Sequence, residues 1–292
     1  MGRQHITHAG SFTIRPVSDV SYDPESHYDR VTDAWGLLLG DELHYGVFAN
    51  GDETLPEATA ALTEAMVAGC AIESGVHVLD VGCGTGTPAC HLASLGATVV
   101  GITNSAVGVE AASARAIANG FGNQLSFEIR DGMDNGFPDE SFDRVWVLES
   151  SHLMRKRDSL ISECARVLRP GGRMALCDVI THRVMPFDEV RKRRHELTLL
   201  REVFGDAHMM PIDAYTGFAE GQGLVVEVAT DLTAATRPTF DRWRANAHEH
   251  REVVVGKLGE EDWQRFIDAC NVLEGLWDEG TFGYGLIAAS KP

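Results

Sequence analysis

The sequence predicts an α/β fold, a seven-stranded doubly wound sheet with helical insertions, from three observations. Seven short apolar runs have the length and composition of strands. Helix-like segments separate the first five, and a glycine-rich turn follows the first. In order, the expected strands are His77–Val81, Thr98–Thr103, Ser126–Arg130, Arg144–Leu148, Arg173–Ile180, Leu224–Thr230 and Tyr284–Ser290. Strand–helix alternation implies parallel neighbours, because a parallel return needs a crossover, and crossover helices cover both faces of the sheet. The chain has no internal repeat and no low-complexity stretch.

Three stretches do not fit the bare repeat. Residues 1–70 read as an N-terminal helical lid, and residues 71–292 as the body. Within the body, 181–223 and 236–278 read as helical caps. Open α/β sheets bind ligands at the carboxyl ends of their strands, and insertions after strands land on that rim. These stretches are therefore expected to close over a ligand and exclude water.

Composition narrows the partners. Hydrophobic residues make up 44% and charged residues 23% of the 292-residue chain, which is globular and excludes bulk disorder. A formal net charge of −18 argues against nucleic acid and against an anionic membrane surface, since both are bound by accumulated Lys and Arg. The one basic run, Arg191–Arg194, reads as a solvated helix face. The N-terminal residues have no apolar core of secretory length, Ile6 breaks the myristoylation pattern, and no apolar run is of bilayer-spanning length. The six cysteines form no CxxC pair and no zinc spacing, so reduced, mostly buried thiols, no metal site and a cytoplasmic location are expected. A homo-oligomer is compatible with all of this.

The strongest local signal is Val78-Leu79-Asp80-Val81-Gly82-Cys83-Gly84-Thr85-Gly86-Thr87-Pro88. An apolar strand carries Asp80 near its end, and Gly82, Gly84 and Gly86 follow at alternate positions. Thr87 can then cap a helix with Pro88 in its first turn. Glycines at such a turn let a ligand approach the backbone. A nicotinamide site would instead show G-x-G-x-x-G with a pyrophosphate on the helix N-terminus. A carboxylate directly before the turn would repel that pyrophosphate and suits a ligand with a cationic group.

This turn resembles the D/E-x-G-x-G-x-G motif of class I S-adenosylmethionine-dependent methyltransferases. Three further stretches match: Phe127 to Met133, Phe137-Pro138-Asp139-Glu140-Ser141-Phe142-Asp143, and Val167-Leu168-Arg169-Pro170-Gly171-Gly172. The resemblance runs from Tyr28 to the C-terminus. It implies a Rossmann-like sheet whose last strand is antiparallel, and S-adenosylmethionine as cofactor. Asp80, Gly82, Gly84 and Gly86 would bind the amino-acid end, and Asp131, with Gly132 and Met133, the adenine. An acidic residue for the ribose usually ends the second strand. Here Gly101-Ile102-Thr103-Asn104-Ser105 stands instead, a variant similar to that of sterol, cyclopropane-type and sugar-modifying methyltransferases, which leaves Thr103 and Asn104 to reach the ribose. Leu43 to Phe48 resembles the segment that covers the cofactor, with Tyr45 at its centre, and Tyr28 the helix that closes the site.

Methyl transfer needs alignment and desolvation, and a hydroxyl acceptor also needs a base. The fourth strand ends Leu148-Glu149-Ser150-Ser151-His152, and the fifth ends Cys177-Asp178-Val179 beside it. His152 is expected to be the base, Asp178 its orienting partner and Glu149 a support, a pairing similar to that of O-methyltransferases acting on glycosylated indolocarbazoles. The expected substrate is a small, largely apolar secondary metabolite, methylated on a hydroxyl of a glycoside or polyketide. Carbon methylation of an isoprenoid alkene or an indole is the main alternative, and a non-catalytic binder of the cofactor a remote one. A nucleic-acid methyltransferase is further disfavoured, as no Asn/Asp-Pro-Pro-Tyr/Phe motif follows the fourth strand.

Overall fold

Strands β1 (His77–Val81), β2 (Thr98–Thr103), β3 (Leu125–Ile129), β4 (Phe142–Leu148), β5 (Leu168–Thr181), β6 (Val225–Asp231) and β7 (Phe282–Ser290) make one sheet in the order β3-β2-β1-β4-β5-β7-β6. The computed structural model describes residues 34–292. Neighbours from β3 to β5 pair in parallel, and β7 runs antiparallel to both β5 and β6. The order reverses between β1 and β4, which opens the crevice where ligands bind in such sheets.

Every expected strand is present, and the boundaries differ where side-chain periodicity is interrupted. β5 begins at Leu168 rather than Arg173, because Leu168 already pairs with Phe142 before the Pro170–Gly172 kink shifts the register. β4 correspondingly starts at Phe142. Asp178 does not end β5: the strand runs on to Thr181, paired with β7.

The helices are α1 (residues 34–39), α2 (Leu55–Cys70), α3 (Thr87–Ser94), α4 (Ala106–Ala118), α5 (Arg157–Val167), α6 (Phe187–Lys192), α7 (Arg194–Phe204), α8 (Ile212–Gly221), α9 (Thr233–Thr236), α10 (Thr239–Glu249), α11 (Arg251–Leu258) and α12 (Glu260–Asp278). Local chemistry starts several of them. Thr54 and Glu57 form a reciprocal capping box on α2, and Ser105 Oγ accepts from Gly108 N to cap α4. Thr87 is not a cap: Gly86 occupies that position, Thr87 is the first helical residue, and its hydroxyl donates to the Asp41 carbonyl.

Alternation along the strands divides the core. Leu79, Val81, Val145, Val147 and Leu176 face α5 and α8, while Val78, Trp146, Ala175 and Cys177 face α2 and the caps. The lid stretches divide accordingly. In the N-terminal stretch, α2 packs on β4, β5 and β7, and among the described residues only those near 35–45 reach the rim. Tyr28 lies outside the described residues. After β5, α7 packs on α12 above the rim, whereas α8 covers the sheet against α5 and β6. In the basic run, Arg193 pairs with Glu189, Glu196 and Glu279 and Arg191 with Asp188, as on a solvated face. The six cysteines are free, five of them buried. Among the described residues, no helix is long and apolar enough to cross a membrane.

Candidate active site

The carboxyl ends of β1, β2 and β4 open into a cavity of about 660 Å³, roofed by residues of α7, α10 and α12. Its floor is the glycine turn, whose three glycines answer to different constraints. At Gly82 (φ +80°) a Cβ would stand 2.2 Å from the Ser150 Cβ, so the crossing of β4 excludes a side chain. At Gly86 a Cβ would stand 2.8 Å from the Ala112 Cβ, so helix packing excludes one. Gly84 (φ +52°) lines the cavity, and a Cβ there would meet nothing within 4 Å. Only this glycine leaves its space to a ligand.

Asp80 lies beneath the turn and not on the cavity wall. It is buried, its Oδ2 has no hydrogen-bond partner, and burial pushes its carboxyl up to about 7. Glu42, an acidic residue to which no sequence motif points, does line the cavity. Glu42 Oε2 is 3.5 Å from His44 Nε2, an ion-pair distance without a hydrogen bond, and His44 holds the Glu42 carboxyl below its ordinary range against burial. The half-buried Glu42 carboxylate on the wall, together with a backbone cradle at Gly84 over the buried Asp80, fits a ligand carrying both an ammonium group and a narrow chain.

Thr103, Asn104, Asp131, Gly132 and Met133 all line the same cavity. Thr103 Oγ1 accepts from Ser105 N at 3.2 Å, and exposed Asn104 stands beside it. Asp131 is exposed, and its Oδ1 accepts from Met133 N at 2.8 Å, which fixes the turn after β3. Tyr45 is on the wall as well. Its ring stacks on Trp277 of α12 (5.4 Å, 8°) and meets Phe240 of α10 edge-on at 5.7 Å, which ties the segment over the cavity to the cap.

The end of β4 brings the candidate base to its partner. β4 stops at Leu148, paired with Cys177, so the turn that follows passes the next residue of β5, Asp178. His152 sits in the 3₁₀ turn Ser151–Leu153. Its Nδ1 is 2.7 Å from Asp178 Oδ1, and its backbone N donates to Asp178 Oδ2 at 3.0 Å. Ser151 Oγ and Val179 N donate to the same carboxylate at 2.5 and 2.7 Å. Burial works against both charges, but the mutual attraction outweighs it: the His152 imidazole is held above its ordinary pKa and the Asp178 carboxyl below.

Glu149 has φ +46°, a conformation costly for a residue with a side chain. Its Oε1 accepts from Tyr45 N at 2.8 Å and from the Tyr284 hydroxyl at 2.5 Å. Burial raises its carboxyl, and His44 and these two donors oppose the rise. Tyr284, Tyr215 and Arg157 were not legible as site residues, since each arrives from an element whose pattern reads as core, and Ser151, beside His152 in the same turn, was not singled out because its partners Asp178 and Tyr215 come from other elements. Of the aromatic and Met residues in 181–223, Phe204 and Met209 reach the cavity, Phe187 is exposed, and Tyr215 lies under the sheet. No group of three or more His, Cys, Asp or Glu that could hold a metal occurs among the described residues.

A methyltransferase-domain family matches residues 79–176, from within β1 to within β5. The 27-O-demethylrifamycin SV methyltransferase of Amycolatopsis mediterranei is 34% identical over 91% of this chain and 95% of its own length. The chain belongs to the S-adenosylmethionine-dependent methyltransferases. Like the class I members, this methyltransferase has the seven-stranded Rossmann-like sheet, and S-adenosylmethionine is its cofactor. Among solved structures, the (4+2) cyclase SpnF superposes with a TM-score of 0.77 at 26% identity, over 92% of this chain and 95% of that one. The mycolic acid cyclopropane synthase CmaA1, solved with S-adenosylhomocysteine, superposes at 0.80 with 21% identity over 91% and 96%, a likeness of fold.

Proposed function

We propose that this methyltransferase acts on a hydroxyl oxygen of an apolar natural-product scaffold, of glycoside or polyketide type, with His152 as the base. The observation that carries the reading is the His152–Asp178 contact. An ionised carboxylate only accepts, so Nδ1 must hold the ring proton, and Nε2 of the neutral imidazole is left as an acceptor. His152 lines the cavity, and no described residue bonds its Nε2.

When bound, S-adenosylmethionine supplies a methyl group activated on a sulfonium. Gly84 would give its methionine chain close approach to the backbone, with Asp80, buried beneath the turn, as the counter-charge. Thr103 and Asn104 serve the ribose, and Asp131, Gly132 and Met133 the adenine. Tyr45 closes the cavity over them. The acceptor lies against Leu200, Phe204, Met209, Trp243, Leu273 and Phe282, whose apolar surfaces exclude water and suit an apolar scaffold. His152 Nε2 takes the acceptor proton, and Asp178 stabilises the imidazolium that results.

The name of the rifamycin relative specifies an oxygen, which supports oxygen over carbon. Incubation with isotopically labelled cofactor and a metabolite extract of the source organism tests the reading. NMR of the labelled product should show an O–CH₃ linkage to an apolar scaffold, whereas a C–CH₃ product would establish the carbon reading in its place.

A further inference from the structure

Behind Asp178, on the face away from the cavity, the side chains form a closed hydrogen-bonded ring. Ser151 Oγ stands 2.5 Å from Asp178 Oδ2 and 2.9 Å from the Tyr215 hydroxyl. Arg157 Nε donates to that hydroxyl at 3.3 Å, and Arg157 Nη2 donates to the His208 carbonyl. His208 N donates to the His152 carbonyl at 2.8 Å, which returns the ring to the base. We propose that Arg157, Tyr215 and Ser151 are positioning residues that hold the Asp178–His152 pair in register and draw negative charge away from it.

The direction of every bond in this ring is forced. The carboxylate accepts, so Ser151 donates to it. The proton between Ser151 and Tyr215 then belongs to Tyr215, whose oxygen is left to accept from Arg157. Three donors in series run from a guanidinium to the carboxylate, and each polarises the next. Arg157 is 2% exposed and pairs with no carboxylate among the described residues. A buried cation without a counter-ion is costly, and the nearest relief is Asp178 through two hydroxyl groups. The same guanidinium ties the 205–209 segment, whose Gly205, Ala207 and Met209 line the cavity, to the chain that carries the base.

The groups facing His152 come from every element around it. Asp178 on β5 and Glu149 at the end of β4 favour its protonated form, and Arg157 on α5 opposes it. Tyr215 comes from α8. His208 contributes its backbone, while its imidazole pairs with Asp206. Breaking the cascade should therefore leave Asp178 more strongly negative towards His152 and stabilise the imidazolium.

This inference rests on the reading of His152 as base, and two readouts separate them. The first is the titration of His152 followed by NMR in the ligand-free protein, with its resonances assigned by their loss in His152→Ala. The second is the pH profile of turnover. Tyr215→Phe keeps ring and volume, and Ser151→Ala removes the direct donor. Both should move the His152 midpoint to higher pH, Ser151→Ala the further. Turnover at pH 6 should fall about three- to tenfold, with the difference closing at alkaline pH. An unmoved midpoint in folded Tyr215→Phe, or an equal loss of turnover at all pH values, overturns the proposal. If Ser151→Ala does not fold, Tyr215→Phe decides alone. If His152→Ala turns over like the wild type, the base assignment fails, and the NMR midpoint still decides the cascade.

Discussion

His152 Nδ1 lies 2.7 Å from Asp178 Oδ1, with Asp178 wholly buried and the imidazole 13% exposed. The pair is thus polarised in space as well as in charge, with the carboxylate inside and the ring edge at the cavity. Burial alone would neutralise both groups. Four donors around one carboxylate, including the imidazole, keep it ionised, and the ionised carboxylate fixes the imidazole tautomer.

The first prediction follows from that tautomer. His152→Ala should lower turnover on a hydroxyl acceptor by about 10²–10⁴ with S-adenosylhomocysteine affinity unchanged in calorimetry. Because the imidazole is held above its ordinary pKa, turnover should fall on the acid side, as the ring becomes imidazolium and can no longer accept. Asp178→Asn should lower the midpoint of that limb, by removing the charge that holds the proton. Wild-type turnover in His152→Ala would leave alignment alone to account for catalysis.

The sheet was legible because each strand is an apolar run bounded by turn residues, and the His152–Asp178 pair because His152 follows the end of β4 and Asp178 lies on the neighbouring β5, one residue past the partner of Leu148. The start of β5 was not, since Pro170 and two glycines interrupt the apolar run that pairing with Phe142 continues. The glycine turn was legible as a motif but not in its division of labour, which depends on Ser150 and Ala112 arriving from β4 and α4. The ring behind Asp178 was invisible for the same reason: Tyr215 sits in α8 with the spacing of a core residue, and only the packing of α8 on α5 brings it to Ser151.

That division of labour gives a second prediction. Gly84→Val should abolish S-adenosylhomocysteine binding, since its side chain enters space that no chain atom occupies, and should cost the fold only the strain of a β-branched residue at φ +52°. Gly86→Ala should instead lower stability by about 1–3 kcal/mol, through the clash with Ala112. Calorimetry and thermal melting distinguish the two. Equal effects of both substitutions on both measurements would contradict the assignment.

Asp80 yields a third. Its folded pKa, about 7, is raised above the unfolded value, so its contribution to stability is full below the unfolded value and is lost as pH rises through 7. Asp80→Asn removes that penalty and should raise the melting temperature of the ligand-free protein at pH 8, by on the order of 1–3 kcal/mol of stability. The same substitution should weaken S-adenosylhomocysteine, which loses its buried counter-charge. A melting temperature unchanged at pH 8 would mean that the carboxylate has a partner in solution.

Glu149 separates charge from tether, and supplies the last prediction. Its Oε1 takes the Tyr45 amide and the Tyr284 hydroxyl, so it fastens the segment over the cavity to the sheet, while its negative charge favours imidazolium at His152. Glu149→Gln keeps a carbonyl oxygen for both donors and removes the charge. The protein should fold and bind cofactor normally, and the acid limb of turnover should move to lower pH, opposite to Tyr215→Phe. Glu149→Ala removes the acceptor too. The Tyr284 hydroxyl and the Tyr45 amide are then left without partners, at about 1–3 kcal/mol each. The strain at φ +46° persists in alanine and is relieved only in glycine. Glu149→Gly should therefore melt no lower than Glu149→Ala, although a glycine usually costs stability. Melting curves of the three variants and the pH profile of Glu149→Gln test both halves: a limb that stays in place denies the charge effect, and equal melting of Glu149→Gln and Glu149→Ala denies the tether.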